Sequence, residues 1–397
     1  MLGRLNSPYF ALFLASLLFM VSLGMASAQN AAPSIGWQYP LADGAVFGST
    51  LSTDGADLVV VIGYGFDPGG SIVSLDPTTG DERWRVDIDE SPWSNPIIEN
   101  GIVYAGVGSL VSGRSAVYAL DAATGDQIWR ADITNSSLPA TPVDGVTLGE
   151  GTIYVNRADG VVLALDAATG DDRWEVQLPK PQRGTPVYEN GLVFIMTGFD
   201  GAEIYALQAS TGDIMWIDEG PQNPATGAAV LDGTLYVPFD GGNLVAYDAA
   251  TGAERWRAAT GLRAADDGAG PSPGLPLVSG GTVYVTSNGF SGSATEALDA
   301  ATGVQRWIAP IGEFSGSAPA LVDGVVLVGS DTGELVGLDA ATGVESWRVT
   351  VPGKIDIDLN QESPPLVGNG WVFVTDDEGG VVGLEWDAGP SGDPAAR

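Results

Sequence analysis

The chain contains no cysteine and no histidine. These two absences exclude disulfide staples, thiol catalysis, zinc sites built on Cys or His, histidine-based triads and haem held by a histidine. Lysine is scarce as well: Lys180 and Lys354 are the only two, and the other cations are arginines. With 16 Lys and Arg against 50 Asp and Glu, the formal net charge is −34. A surface that acidic repels phosphate backbones and anionic lipid heads, so nucleic acid is not expected as a partner. Two readings of the acidity stay open. One is adaptation to high salt, where a Debye length of about 3 Å at 1 M screens the self-repulsion; the other is an acidic exported protein of ordinary habitat. Helical periodicity is also missing from the chain after residue 28, so no long helix is expected.

What is present is length, turn residues and apolar runs. The 397 residues include 56 Gly and 25 Pro beside 44% hydrophobic residues, the profile of a turn-rich globular protein of many short strands. The first 28 residues stand apart: Arg4, an apolar run from Tyr9 to Met25, then Ala26-Ser27-Ala28. This pattern predicts a secretory signal cut before Gln29, the alternative being an uncleaved anchor helix, for which the run is somewhat short. The expected location is periplasmic or secreted, with no membrane span after cleavage.

One phrase recurs seven times, as in ALDAATGDQIW ending at Trp129 and ALDAATGDDRW ending at Trp174. The others end at Trp84, Trp216, Trp256, Trp307 and Trp347, with spacings of 40 to 51 residues, the period of a four-stranded propeller blade. Within residues 141–178 the unit reads as an inner strand from Thr141-Pro142, a second strand at Thr152–Val155, a third at Val161–Asp166 and a fourth at Asp172–Leu178. In the phrase itself, Asp121 and Thr124 are placed to cap a turn, and Gly125 to adopt a backbone angle closed to other residues. Ala122-Ala123 leave room for the neighbouring blade, against which Trp129 lies flat. The other use for such tryptophans is a stack that binds a cofactor; a signature present in every unit describes architecture instead.

The chain ends raise the count from seven to eight. After Trp347, three strands follow, ending at Trp386, and then the pattern stops. Ser34 to Pro40 carries Trp37 with no blade before it, one period ahead of Trp84. The expectation is therefore an all-β, eight-bladed β-propeller of four-stranded antiparallel blades, with the last blade closed by the N-terminal strand. The expected layout is a signal at 1–28, one propeller over 29–387 and a disordered tail at 388–397. Trp37, Trp84, Trp129, Trp174, Trp216, Trp256, Trp307 and Trp347 would dock the blades.

The phrase A-x-D-A-x-T-G-x-x-x-W resembles the tryptophan-docking repeat of the pyrroloquinoline-quinone-type propellers over nearly all of the chain beyond the signal. That superfamily has an enzyme branch, the quinone-dependent alcohol and sugar dehydrogenases with calcium or a lanthanide beside the quinone. It also has non-catalytic members, notably the periplasmic propeller subunit of the outer-membrane barrel-assembly machinery, which this chain resembles in size and blade count. The chain departs from the dehydrogenases in lacking their adjacent cysteine pair, and from the assembly subunit in lacking the lipobox cysteine. What the resemblance implies is a binding scaffold without chemistry or cofactor of its own, a monomer working with a protein partner in the cell envelope. The alternatives are a divergent quinone-dependent dehydrogenase holding pyrroloquinoline quinone with calcium, and a polysaccharide-binding propeller.

Candidate site residues lie on links and middle turns, where irregular chain carries function. Asp356, Asp358 and Asn360 alternate oxygen side chains of the kind calcium takes, although the glycine and closing Glu of a calcium loop are missing; alternation on a half-exposed edge is the other reading. Trp93 and Trp371 are expected as surface aromatics for a glycan or a protein. Arg157, Arg183 and Arg263 are expected near the channel mouth, and the long link at 261–276, with Arg263, Asp266 and Asp267, reads as a linker or a lid. Asp159, Asp200, Asp240, Asp331, Asp376 and Asp377 form either a ring of carboxylates or ordinary Asp-Gly turns.

Overall fold

The computed structural model describes residues 31–40, 49–63, 69–92, 94–108, 114–133, 143–157, 159–180, 182, 184–197, 202–224, 227–262, 271–289, 292–312, 317–330, 332–352, 355, 364–375 and 380–386. Among them every regular element is a β-strand, and all pairings are antiparallel. The strands form eight separate sheets, each running from an inner strand through two central strands to an outer one. Blade 3 shows the plan: Val143–Gly149, Thr152–Arg157, Val161–Asp166 and Asp172–Gln177. Blades 2 and 6 add a two-residue bridge strand beside the second strand, Ser91–Pro92 and Ser272–Pro273.

Blade 8 combines the two ends of the chain. Leu366–Gly368, Trp371–Thr375 and Val381–Glu385 supply three strands, and Ser34–Tyr39 pairs with the third as the outer strand. Its inner strand touches those of blade 7 and blade 1, so the blades form a closed ring. Closure leaves no terminal blade face open, which an unclosed row of blades would expose.

The apolar pattern explains the ring. Second and third strands are buried on both sides: every residue of Thr152–Arg157 is buried, and all but the last of Val161–Asp166. Their alternate side chains therefore serve two gaps. Tyr104 and Trp129 of blade 2 pack with Ile153, Val155 and Leu165 of blade 3, while Tyr154, Val162 and Ala164 of blade 3 turn the other way, onto Val193, Ile195 and Tyr205 of blade 4. The core is thus eight clusters, one per gap, each drawn from two blades.

Each outer strand has a bulge just before its tryptophan; in blade 3 the register passes from Ala164↔Trp174 to Leu165↔Asp172 and leaves Arg173 as the extra residue. The bulge points that arginine back at the aspartate of its own turn. Arg173 reaches Asp166 at 2.7 Å, and Arg255 with Asp248 and Arg306 with Asp299 repeat the pair at 2.8 Å.

Candidate functional site

The repeated phrase is a docking joint. Asp166 Oδ1 accepts the backbone N–H groups of Ala168 and Thr169, which closes the turn. Gly170 follows with φ +76°, and a Cβ there would lie 2.7 Å from Trp129 Cε3 of the preceding blade. Gly80, Gly125, Gly212, Gly252, Gly303 and Gly343 meet the preceding tryptophan in the same way. The glycine thus provides both a left-handed angle and a flat seat for an indole. The ring N–H donates to the carbonyl one residue past the aspartate, or past Gln208 in blade 4: Trp84 to Ala122 at 2.8 Å, Trp129 to Ala167 at 3.0 Å, Trp174 to Ala209 at 2.9 Å and Trp256 to Ala300 at 2.9 Å. Trp216, Trp307 and Trp37 donate likewise to Ala249, Ala340 and Pro77. Of the two alanines expected to leave room, only the first does. Ala122 is buried, whereas Ala123 is exposed, because the turn rotates its Cβ away from the seam.

Trp347 is the exception. Its partner turn in blade 8 reads Glu385-Trp386 where blades 2, 3, 5, 6 and 7 read Asp-Ala, and no repeat of the phrase follows, because the outer strand there comes from the other end of the chain. Trp386 occupies the alanine position, its backbone N–H donating to Gly370 as that of Ala122 does to Gly101. The two indoles meet at 5.8 Å between centroids, and the Trp347 N–H is buried with no acceptor among the described residues. Trp386 in turn donates to Asp323 at 2.9 Å.

Of the candidate contact residues, Asp356, Asp358 and Asn360 lie outside the described residues, as do Trp93, Arg183, Arg263, Asp266 and Asp267. Trp371 differs from the expected surface aromatic. It is half-buried, its ring near parallel to Phe373 at 6.4 Å and 6.3 Å from Trp37, in the seam that joins the two chain ends. Arg157 is buried and bound to Asp159, Nε to Oδ1 at 3.0 Å, so the pair neutralises itself. Asp240 accepts from Ser272 at 3.2 Å, tying a middle turn to the next blade. Asp200, Asp331, Asp376 and Asp377 fall outside the described residues.

Two further carboxylates, Glu90 and Glu296, are buried. Glu90 takes Arg130 at 2.9 Å, and the guanidinium also covers the Tyr118 ring at 5.2 Å. Glu296 accepts the Gly261 N–H at 2.6 Å. Both secure a link segment to a blade. Glu296 had a readable signal, an acid three residues before the phrase aspartate, where the other blades carry Val, Leu or Tyr.

Around the axis, the inner strands of blades 3 to 6 and Asn95 enclose a cavity of about 460 Å³. Thr147, Thr185 and Tyr188 give it polar points, and Val187, Val230 and Leu277 are among its apolar walls. A quinone bearing several carboxylates needs cations, and its calcium needs acidic oxygens. The described lining offers neither, and no group of three or more acidic side chains that could hold a metal occurs among the described residues, so they do not fit that cofactor. No helix among the described residues is long and apolar enough to cross a membrane.

Comparison with known proteins places the chain among relatives of this architecture. The family model described as outer membrane protein assembly factor BamB matches residues 113–294 and 291–390. A serine/threonine-protein kinase AfsK from Streptomyces griseus is 32% identical over 190 residues, 45% of this chain and 22% of the kinase. The structure of BamB from Moraxella catarrhalis covers 90% of this chain and 99% of its own at TM-score 0.67 and 16% identity. A quinohemoprotein alcohol dehydrogenase from Pseudomonas putida covers 94% and 79% at TM-score 0.69 and 15% identity. At such identity the structures share the fold alone. The curated relatives are matched over 19% to 55% of their length.

Proposed function

Since the chain belongs to the family described as outer membrane protein assembly factor BamB, we propose that it is a periplasmic, non-catalytic propeller that binds proteins during cell-envelope assembly. The family match across residues 113–390 carries this reading. The joints support it: the repeated Trp and Gly hold blade to blade, and the repeated Asp, Thr and Arg hold the turn that seats them. A ring so tied is a rigid platform, and rigid scaffolds present variable loops for binding. The uncharged wall of the axial cavity favours this over quinone chemistry.

Expression of the full-length tagged chain in its own host, with fractionation and crosslinking, tests the reading. The expected result is recovery from the periplasm with crosslinks to proteins that assemble or reside in the outer membrane. Saturable binding of pyrroloquinoline quinone with calcium, followed by dye-linked alcohol oxidation, would overturn it in favour of the dehydrogenase branch.

A further inference from the structure

The outer strand of blade 4, Ile214–Glu219, carries three exposed apolar side chains at positions where those of blades 1, 3 and 5 carry only charged ones. At the two positions before the docking tryptophan and the one after it, blade 3 carries Asp172, Arg173 and Glu175, and blade 5 carries Glu254, Arg255 and Arg257. Blade 4 carries Ile214, Met215 and Ile217, at 45%, 55% and 52% exposure. Its turn has changed with it. Gln208 stands where blades 1, 2, 3, 5, 6 and 7 carry aspartate, so the Asp–Arg pair that shields the edges of blades 1, 3, 5 and 6 is absent. The strand is the last of its sheet, so its outer edge has no strand partner among the described residues. Charged side chains on an edge strand are the ordinary guard against pairing with another chain. Blade 8 lacks all three charges too, with Ile35, Gly36 and Gln38, but blade 4 alone has exposed apolar side chains at all three positions.

We propose that this edge is a docking site for an extended strand of a partner protein, one that alternates apolar residues with lysine or arginine. Strand addition satisfies the free backbone groups, and side chains on the added strand cover those beside them. Ile214, Met215 and Ile217 call for apolar contacts, while Asp213, Asp218 and Glu219 flank them with negative charge on a chain of net charge −34. Basic residues on the incoming strand match that field; a second copy of this chain would bring like charges against like. The site goes beyond the envelope-assembly reading and does not depend on it.

The probe is a fluorescein-labelled peptide, Lys-Val-Lys-Ile-Lys-Val-Lys, titrated into the full chain by anisotropy. The variant Q208D/I214D/M215R/I217E gives blade 4 the charged edge that blade 3 already tolerates. Saturable binding is expected, at least tenfold weaker in the variant, with hydrogen-exchange protection appearing at residues 214–219. Equal affinity for the variant, or for a peptide with proline at alternate positions, would overturn the proposal and leave general attraction to an acidic surface. A dimer of the unmodified chain that the variant dissolves would also overturn it, assigning the edge to a second copy. Should the fourfold variant fail to fold, Ile217→Lys carries the same comparison on one exposed side chain.

Discussion

Replacing Trp129 and Trp347 separately by phenylalanine isolates the hydrogen bond of the blade joint. Both indoles are about 8% exposed, and both lose the same ring area, so the area term cancels between them. The Trp129 N–H donates to Ala167 at 3.0 Å, and losing that bond should cost about 0.5 to 1.5 kcal/mol. The Trp347 N–H is buried without an acceptor among the described residues, so removing it relieves a penalty of about 1 to 3 kcal/mol. The two variants should therefore differ in stability by about 1.5 to 4.5 kcal/mol, with Trp129→Phe the weaker protein. Urea unfolding followed by far-UV circular dichroism measures the difference, provided that the slope with denaturant is unchanged. Equal destabilisation would refute the account. It would mean either that the Trp347 N–H finds a partner or that shape alone, not the hydrogen bond, holds the joints.

Further outcomes follow from the same geometry. Gly170→Ala forces a Cβ to 2.7 Å from the Trp129 ring at positive φ and should cost about 2 to 5 kcal/mol. Gly151→Ala, at φ +70° with nothing within 4 Å, should cost about 1 to 2 kcal/mol, and a melt in which the two match would deny the seat its role. Asp159→Ala leaves the buried Arg157 without its partner and should cost about 3 to 5 kcal/mol; a loss below 1 kcal/mol in chemical denaturation would contradict the burial of the pair. The Arg173, Arg255 and Arg306 guanidiniums hold Asp166, Asp248 and Asp299 below the usual carboxylate range, and Thr78 with Arg83 does the same for Asp76. Lowered carboxyl values stabilise above the unfolded value near 4, so in molar salt, which screens the net charge, the melting temperature should fall as pH drops below about 4. At the alkaline end burial pushes Tyr39 up to about 12 and raises Tyr118 and Tyr247 too, so stability should decline once pH rises past about 10. A flat melting profile at both extremes would count against these environments.

The blade count and ring closure were legible because they are written periodically. A tryptophan every 40 to 51 residues, with Asp-Ala-x-Thr-Gly before it, leaves one workable arrangement, and an orphan Trp37 needs a three-stranded partner to complete. Local chemistry also carried through: the aspartate cap and the positive φ of Gly125 depend only on residues a few positions apart. Three features required the third dimension. Gly170 lies under Trp129, 41 positions earlier in the chain, a contact that exists only once two blades face each other. Trp371 is expected as a surface aromatic, yet the N-terminal strand arrives from the far end of the chain and half-buries it. Ile214, Met215 and Ile217 flank a tryptophan in an apolar stretch, and their exposure is visible only because blade 4 places them on its outer edge. Sequence alone determined the repeat and hence the wheel, because each joint carries a short motif whose residues cap and turn locally. Tertiary structure alone decided which side chains the wheel buries and which it presents, because burial depends on what the neighbouring blade brings to the seam.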